Sequence, residues 1–273
     1  MSWGAVARKD FSDAVRVRWF WALGALFVVF AGGGAYLYAE FFSAFGETTG
    51  IGFIGFLSAA TGILVPVIGL VLGYKTIAGE RESGSLKLLL SLPHTRGEVV
   101  AGKLVGRSAV VSIAILVGYL VALVVGLALF AEFSVVDFLT FTGLSVLLAC
   151  AWIGISLGLS TATGSTSRAA VFAFGFWLVV QFLWDIVVTL LVWAVNGFSL
   201  EALGNLPDWA LFLSVIMPNS AFSNANGIVA DSLGATGQST PWFTEPWFGL
   251  LVLVAWVVVP VGLGYLRFRN ADL

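Results

Sequence analysis

The sequence predicts an all-α membrane protein with six transmembrane helices, and three observations lead to that prediction. Of the 273 residues, 59% are hydrophobic and 10% are charged, whereas a soluble chain carries about 25% charged residues. Six apolar stretches each approach or exceed the roughly 20 residues that a spanning helix needs. All lysines and arginines fall on one side of the resulting model, a single transmembrane domain over residues 1–273.

Loops of polar and turn residues separate the six apolar stretches. Unpaired backbone groups are costly in hydrocarbon, so each stretch must be a helix or a barrel strand. Their lengths do not fit the roughly 10-residue alternation of barrel strands. The predicted spans are residues 19–39, 48–74, 108–131, 138–167, about 169–195 and 246–266.

The charge distribution predicts the orientation. The 13 basic residues lie in the N-terminal segment, in the loops after the second and fourth spans, and after the sixth span. The opposite side carries acidic residues and no basic ones. Because cytoplasmic loops are enriched in lysine and arginine, we expect a multi-pass protein of the plasma membrane with both termini in the cytoplasm.

A cleaved signal peptide is the alternative for the N-terminus. Residues 19–30 could be its apolar region and residues 31–35 its small-residue cleavage zone. The preceding segment is long for such a leader and contains Asp10 and Asp13, and the apolar run continues to Ala39.

Residues 1–18 predict an amphipathic helix in the cytoplasmic interface, with its basic side towards anionic lipid. The alternative is a frayed basic leader. The apolar residues at three- and four-residue spacing are Trp3, Val6, Ala7, Phe11, Ala14 and Val15.

The extracytoplasmic segment, residues 196–245, contains no lysine or arginine. Its apolar run 209–217 is bounded by Pro207 and Pro218 and is too short to span a bilayer. It predicts a re-entrant or interfacial helix pair before the last span, since backbone that dips into the membrane must be buried in protein or line a cavity.

The cytoplasmic loop, residues 75–107, predicts a helix, a break at Ser83-Gly84-Ser85, a short leucine-rich helix that Pro93 ends, and a further helix. Thr95 and Glu98 have the spacing of a capping box at the start of that last helix. The five leucines within residues 86–92 need a packing partner, either in this chain or in another subunit.

Two stretches match the residue patterns of nucleotide-binding motifs but lack the sequence context that those motifs need. Residues 97–103 match the start of a phosphate-binding loop, but Leu104 replaces the serine or threonine that should reach magnesium. Residues 50–55 spell a dinucleotide fingerprint without a preceding strand. One histidine, His94, and one cysteine, Cys150, also make a protein-only metal cage hard to build. We therefore expect no cofactor or metal on this chain and no nucleic acid partner, and any ATP on another polypeptide.

Asp185 is the only acid within a predicted span. It shares a helical face with Gln181, four residues earlier. Gln181 and Asp185 are candidates for lining a substrate path, since intramembrane acids usually face an interior. The alternative is an acid near the outer headgroups that reaches water.

Residues 80–96 read Glu-Arg-Glu-Ser-Gly-Ser-Leu-Lys-Leu-Leu-Leu-Ser-Leu-Pro-His-Thr-Arg. They resemble the corresponding loop of ABC-2 type transporter permeases, in which a Glu-Arg pair, a small-Gly-small-Leu turn, Leu-Leu-x-x-Pro and a basic residue precede Gly-Lys, here Gly102-Lys103. The layout of the whole chain is similar as well. Within the family, the resemblance leans towards the branch that includes the permease for copper-enzyme maturation in nitrous oxide reduction.

The resemblance implies a coupling helix that docks on a separate ABC ATPase subunit, with two permease subunits, identical or different, completing an exporter. Glu80, Arg81 and Glu82 would anchor the coupling helix electrostatically. Leu86, Leu89 and Leu90 would pack it. Arg96 and Lys103 would meet an acidic or lipid surface. The implied contact residues are Glu80, Arg81, Glu82, Gly84, Leu86, Leu89, Leu90, Pro93, Arg96 and Lys103.

Two other function classes remain open from the residues alone. An ion-gradient-driven secondary transporter should carry ionisable groups near the midplane and often has inverted repeats; only Asp185 is available, and no repeat is evident. An intramembrane protease would need His94 and Cys150 to meet, or paired carboxylates in the spans, and the predicted topology favours neither.

Overall fold

A computed structural model of the chain describes residues 3–43, 48–91, 95–130, 132–199, 206–231 and 241–271. Within these ranges the regular structure is helical, and six helical runs are long and apolar enough to cross a membrane. The prediction of an all-α membrane protein with six spans is confirmed.

The six spans include two helices that each contain a one-turn π segment. Span one is α2 (Arg18–Phe27), which continues through the π segment Val28–Gly32 into α3 (Gly33–Ser43). Span five is α9 (Thr166–Leu178), which continues through the π segment Val179–Leu183 into α10 (Trp184–Val195). Spans two, three, four and six are single helices: α4 (Gly50–Gly73), α7 (Arg96–Leu129), α8 (Val135–Ala162) and α14 (Pro246–Arg269).

The remaining helices are short and lie before the first span or between spans. They are α1 (Trp3–Val15), α5 (Ala78–Glu82), α6 (Ser85–Ser91), α11 (Asp208–Val215), α12 (Pro218–Ala225), α13 (Gly227–Asp231) and a 3₁₀ turn at Trp242–Thr244.

The predicted capping box is present at the start of α7. The Thr95 hydroxyl accepts the Glu98 backbone N–H at 3.2 Å, and Glu98 Oε2 accepts the Thr95 backbone N–H at 2.8 Å. The two side chains thereby satisfy backbone donors that a helix start leaves free. This fixes the point at which the chain turns from the loop of residues 75–107 into span three.

Span four, α8, lies at the centre of the bundle and packs against α4, α7 and α14. A Cβ atom on Gly154 would fall 2.6 Å from the Val257 carbonyl oxygen, and one on Gly69 would fall 2.8 Å from the Trp152 Cβ. Only glycine permits these approaches, and close backbone packing is a main source of helix association in lipid. The pairs Gly69/Gly73 and Gly154/Gly158 thus have the packing role that their small-xxx-small spacing predicts.

Helix α1 packs against the start of α7 through Val6, Ala7 and Asp10, which are all buried. Gly102 and Gly106 of α7 allow this approach: a Cβ atom on Gly102 would fall 2.6 Å from the Val6 Cβ. The predicted N-terminal helix is therefore present, at the same end of the bundle as the loop of residues 75–107. Its location in a membrane interface stays a prediction.

Candidate coupling element and transport path

Helix α5 is anchored at its start by a side chain of span four. The backbone N–H groups of Ile77 and Ala78 donate to the hydroxyl oxygen of Ser160, at 3.1 and 3.0 Å. All three residues are buried. Since the first N–H groups of a helix lack partners within it, Ser160 caps α5 from a neighbouring helix.

The end of α5 is tied to span five. The Glu82 carboxylate accepts the backbone N–H of Thr166 at 2.9 Å and also the Thr166 hydroxyl. Thr166 is the first residue of α9, where a negative charge is favoured by the helix dipole. The hydrogen bonds from Thr166 hold the pKa of Glu82 below its usual value, so the carboxylate is ionised at neutral pH.

Glu80, in the middle of α5, belongs to a charge cluster that includes α1 and α7. Lys103 Nζ lies 2.6 Å from Glu80 Oε1 and 3.8 Å from Asp10 Oδ1. Arg107 Nε lies 2.9 Å from Asp10 Oδ2. The side chains of Lys103 and Asp10 are 5% and 8% exposed, and charges so deeply buried require partners. The two acids and two bases balance.

Arg81 and Gly84 fit the geometry of the same element. The Arg81 guanidinium lies beside Gly164, in the loop between spans four and five, with its Cζ 3.6 Å from where a Cβ on Gly164 would be. Gly84 has φ +75°, a left-handed conformation that glycine adopts without a steric penalty. The predicted break between two helical pieces is therefore confirmed at Gly84, and α6 leaves α5 at a sharp turn.

The leucines of α6 divide into buried and exposed faces. Leu86 is 1% exposed and packs with Ile77, Val99 and Phe268, and Leu89 and Leu90 are partly buried against the same cluster. Their packing partners lie in this chain. Leu88, by contrast, is 73% exposed. Sequence reasoning did not single it out, although a position two residues from buried Leu86 points away from it on a helix.

Arg96 contacts the C-terminus of the last span. Its guanidinium donates to the carbonyl oxygens of Phe268, Arg269 and Ala271, at 2.5, 3.1 and 2.9 Å, and lies over the Phe268 ring. The last carbonyls of a helix have no partner within it, so Arg96 satisfies those of α14.

Arg96 and Lys103 differ from the expectation that they meet acidic or lipid surface. Arg96 binds backbone carbonyls, and Lys103 binds carboxylates, of the chain itself. Burial explains the difference for Lys103, whose side chain is 5% exposed and would be uncompensated without Glu80. Pro93, the remaining residue of the predicted contact, lies outside the described residues, as does His94.

A polar cluster joins the α11–α12 hairpin to the middle of the bundle. Asn219, the second residue of α12, donates to the carbonyl oxygen of Gly62 at 2.7 Å and to the Gln181 side-chain oxygen. It also accepts the Trp152 indole N–H at 3.1 Å. Gly62 lies halfway along α4. Asn219 therefore connects spans two, four and five at one point, which its place in a polar turn of the sequence did not indicate.

Asp185 lies on an exposed face of span five. Span five runs from Thr166 to Val195, and Asp185 lies about 7 Å from its middle, towards Val195, at about 1.5 Å per residue. That depth is within a hydrocarbon core about 30 Å thick. A carboxylate there is stable only beside water or a polar partner.

These contacts attach the short helices of the loop to the spans. Through α5, the loop is bonded to α7, α8 and α9. Lys103 of α7, which binds Glu80, also pairs with Asp10 of α1, and Arg96 at the start of α7 is bonded to α14. The loop is therefore attached to most of the bundle by hydrogen bonds and ion pairs.

Comparison with known proteins identifies the class. The model of the family described as ABC-2 family transporter protein matches residues 4–273, and the chain belongs to that family as the membrane subunit of an ABC transporter. Membership decides against the ion-gradient-driven and protease alternatives.

Two similar proteins share the description "Probable ABC transporter permease protein NosY". The protein of Stutzerimonas stutzeri is 33% identical, with 97% of each chain covered. The protein of Pseudomonas aeruginosa is 32% identical, over 77% of this chain and 76% of its own. These relatives confirm the resemblance that residues 80–96 indicated.

Proposed function

We propose that this permease forms the translocation path of an ATP-driven exporter whose ATP is hydrolysed by a separate ABC ATPase subunit. The ATPase docks on the cytoplasmic loop, against the exposed face of α6. The observation that carries this proposal is the division of α6: Leu86 is 1% exposed and anchored in the chain, while Leu88 is 73% exposed on the opposite face. Lys87 is exposed beside it.

Motion of the ATPase reaches the spans through α5. A push on α6 turns α5 about Gly84, and α5 carries Glu82, Glu80 and the Ser160 contact with it. Each of these is bonded to a different helix, at distances of 2.9, 2.6 and about 3 Å. The bonds of Glu82 and Glu80 involve ionised groups and are therefore strong and directional, which suits them to transmit displacement.

The substrate path lies beside span five, between this subunit and a second permease subunit, identical or different. Only 11% of the most apolar window of span five is buried within the chain. The same helix exposes Asp185 to the space outside the bundle, where a partner or a water-filled path satisfies the carboxylate. Gln181 and Asn219 line the inner part of that path.

The α11–α12 hairpin is re-entrant in this proposal. The bond from Asn219 to Gly62, halfway along span two, supports a hairpin that enters from the outer side to mid-membrane depth. Its backbone there is helical and surrounded by protein, the condition under which a non-spanning segment is tolerated in hydrocarbon. Both termini and the loop of residues 75–107 are cytoplasmic, and the assembly of two permease and two ATPase subunits lies in the plasma membrane.

Co-purification tests the docking surface. The full chain is co-expressed with the candidate ABC ATPase subunit of the same source, and Leu88→Asp is compared with Val17→Asp. Val17, 49% exposed, is an equally apolar side chain between α1 and α2, outside the loop. We expect Leu88→Asp to release the ATPase and Val17→Asp to retain it. Retention of the ATPase by both variants, with both folded, would contradict docking on α6.

A further inference from the structure

A cavity of about 600 Å³ lies where the ends of spans four and six meet the start of span five. Its lining includes Leu159 and Phe172 and two arginines, Arg168 and Arg267. No acid lines it. Arg168 is the third residue of α9 and Arg267 the third from the end of α14, so both sit where an apolar helix leaves the membrane.

Both arginines are exposed, and in the described part of the chain neither has an ion-pair or hydrogen-bond partner. This contrasts with Lys103, Arg107 and Arg96 at the same end of the bundle, which are bound within the chain. Two unpaired guanidinium groups on one cavity attract an anion, and their planar forks match phosphate oxygens.

The apolar part of the cavity indicates what carries the anion. Phe172 is 54% exposed, and the neighbouring Val171 and Leu263 are 69% and 64% exposed on the helices that border it. Apolar walls contribute nothing to the binding of a free phosphate, whereas they stabilise an acyl chain that packs against them. The charge and the walls together match a phospholipid with its headgroup at the arginines.

We propose that this cavity is a binding site for one anionic phospholipid, whose phosphate binds Arg168 and Arg267 and whose acyl chain lies against Leu159 and Phe172. Gly164, which also lines the cavity, is the residue beside which the Arg81 guanidinium lies. The bound lipid therefore touches the loop that α5 holds, and its occupancy bears on the coupling element. The site itself does not depend on the proposed ATPase contact.

Native mass spectrometry of the purified full chain tests the site by titration with dioleoylphosphatidylglycerol, dioleoylphosphatidylcholine and inorganic phosphate. The variant Arg168→Gln/Arg267→Gln is compared with Arg18→Gln/Arg269→Gln. The control pair is exposed, lies at the same ends of spans one and six, and removes the same charge. Thermal unfolding of both variants checks that they fold.

We expect the first variant to bind phosphatidylglycerol about thirtyfold more weakly, about fivefold from each cation near the membrane surface. The control should stay within about twofold, as a surface change away from the site does. Equal loss in both variants would show only general charge attraction and would overturn the proposal. The proposal would also be overturned if inorganic phosphate bound saturably, required Arg168 and Arg267, and displaced the lipid. Unchanged phosphatidylglycerol binding in the first variant would likewise contradict it.

Discussion

The carboxylate of Glu82 and the backbone N–H of Thr166 lie 2.9 Å apart, so the last residue of α5 caps the first turn of span five. Glu82 lies in the connection between spans two and three and Thr166 at the end of the connection between spans four and five, and this bond joins the two connections. Since α9 leads directly to the face that exposes Asp185, any force on α5 acts on the helix that borders the proposed path.

Replacing Glu82 with glutamine should uncouple ATP hydrolysis from transport while the permease–ATPase complex remains intact. The amide keeps the shape of the side chain and loses the charge that the N-terminus of α9 favours. Transport per ATP, measured in proteoliposomes at pH 7, should fall severalfold. The control is Asp13→Asn, an exposed carboxylate at the same end of the bundle. Equal coupling ratios in the two variants would remove Glu82 from the coupling route.

The direction of the pKa shift of Glu82 predicts how this contact responds to acid. Its pKa is lowered by the Thr166 hydrogen bonds, so the contact stabilises the fold above the pKa of an unfolded glutamate. That stabilisation is lost as pH falls through the lowered, folded-state pKa. The difference in thermal unfolding temperature between the wild type and Glu82→Gln should therefore shrink on acidification, and a growing difference would contradict the assignment.

Replacing Lys103 with alanine should destabilise the fold by about 3 kcal/mol, the lower end of the cost of breaking a buried ion pair. The lower end applies because the Glu80 side chain remains 31% exposed and water can reach it. The exposed Lys87→Ala should cost less than about 0.5 kcal/mol. Thermal unfolding in detergent measures both. Adding Glu80→Gln to Lys103→Ala should recover part of the loss, since it removes a charge left without its partner.

Replacing Arg96 with alanine should loosen the end of the last span. The carbonyl oxygens of Arg269 and Ala271 lose the guanidinium donor, and that of Phe268 keeps the Ala271 N–H, which we expect to cost about 2 kcal/mol. Arg96→Lys should recover only part of this, because an ammonium lacks the planar fork. Hydrogen exchange of the last turn of α14 should rise in the alanine variant and remain unchanged in Arg269→Ala. Equal protection in Arg96→Ala and the wild type would show that the guanidinium does not cap α14.

Replacing Asn219 with alanine should remove the polar bonds by which this one side chain joins the α11–α12 hairpin to three spans. Bonds among polar groups within a membrane contribute about 1 kcal/mol each, so a stability loss of about 1–2 kcal/mol is expected. Transport should fall more than ATP hydrolysis does, since the hairpin borders the path and not the coupling loop. Ser223→Ala, on an exposed position of the same helix, is the control. Unchanged transport in Asn219→Ala would mean that the polar cluster around Asn219 contributes to packing and not to transport.

The spans and the capping box could be predicted because each depends on residues close together in the chain. Hydrocarbon forces a helix on any long apolar stretch, and Thr95 and Glu98 are a local pair. The small-residue pairs were visible for the same reason, since Gly154 and Gly158 lie one turn apart on one helix.

The contacts of the candidate site could not be predicted in the same way, because their partners are distant in the sequence. Asp10 looks like an ordinary charge in a basic leader until α1 packs on α7 and Arg107 meets it. The two faces of α6 depend on the rotation of a seven-residue helix, which is too short for its periodicity to settle. Asn219 acquires its role only when the hairpin meets span two.

The most direct test of the account asks which molecule covers Leu88. The chain has one cysteine, Cys150, so Leu88→Cys and Arg16→Cys can be made in a Cys150→Ala background and labelled with a membrane-impermeant maleimide. We predict that both are labelled only from the cytoplasmic side, and that adding the ATPase subunit protects position 88 but not position 16. Labelling of position 88 in intact cells, or its unchanged labelling in the assembled complex, would contradict the proposed coupling element.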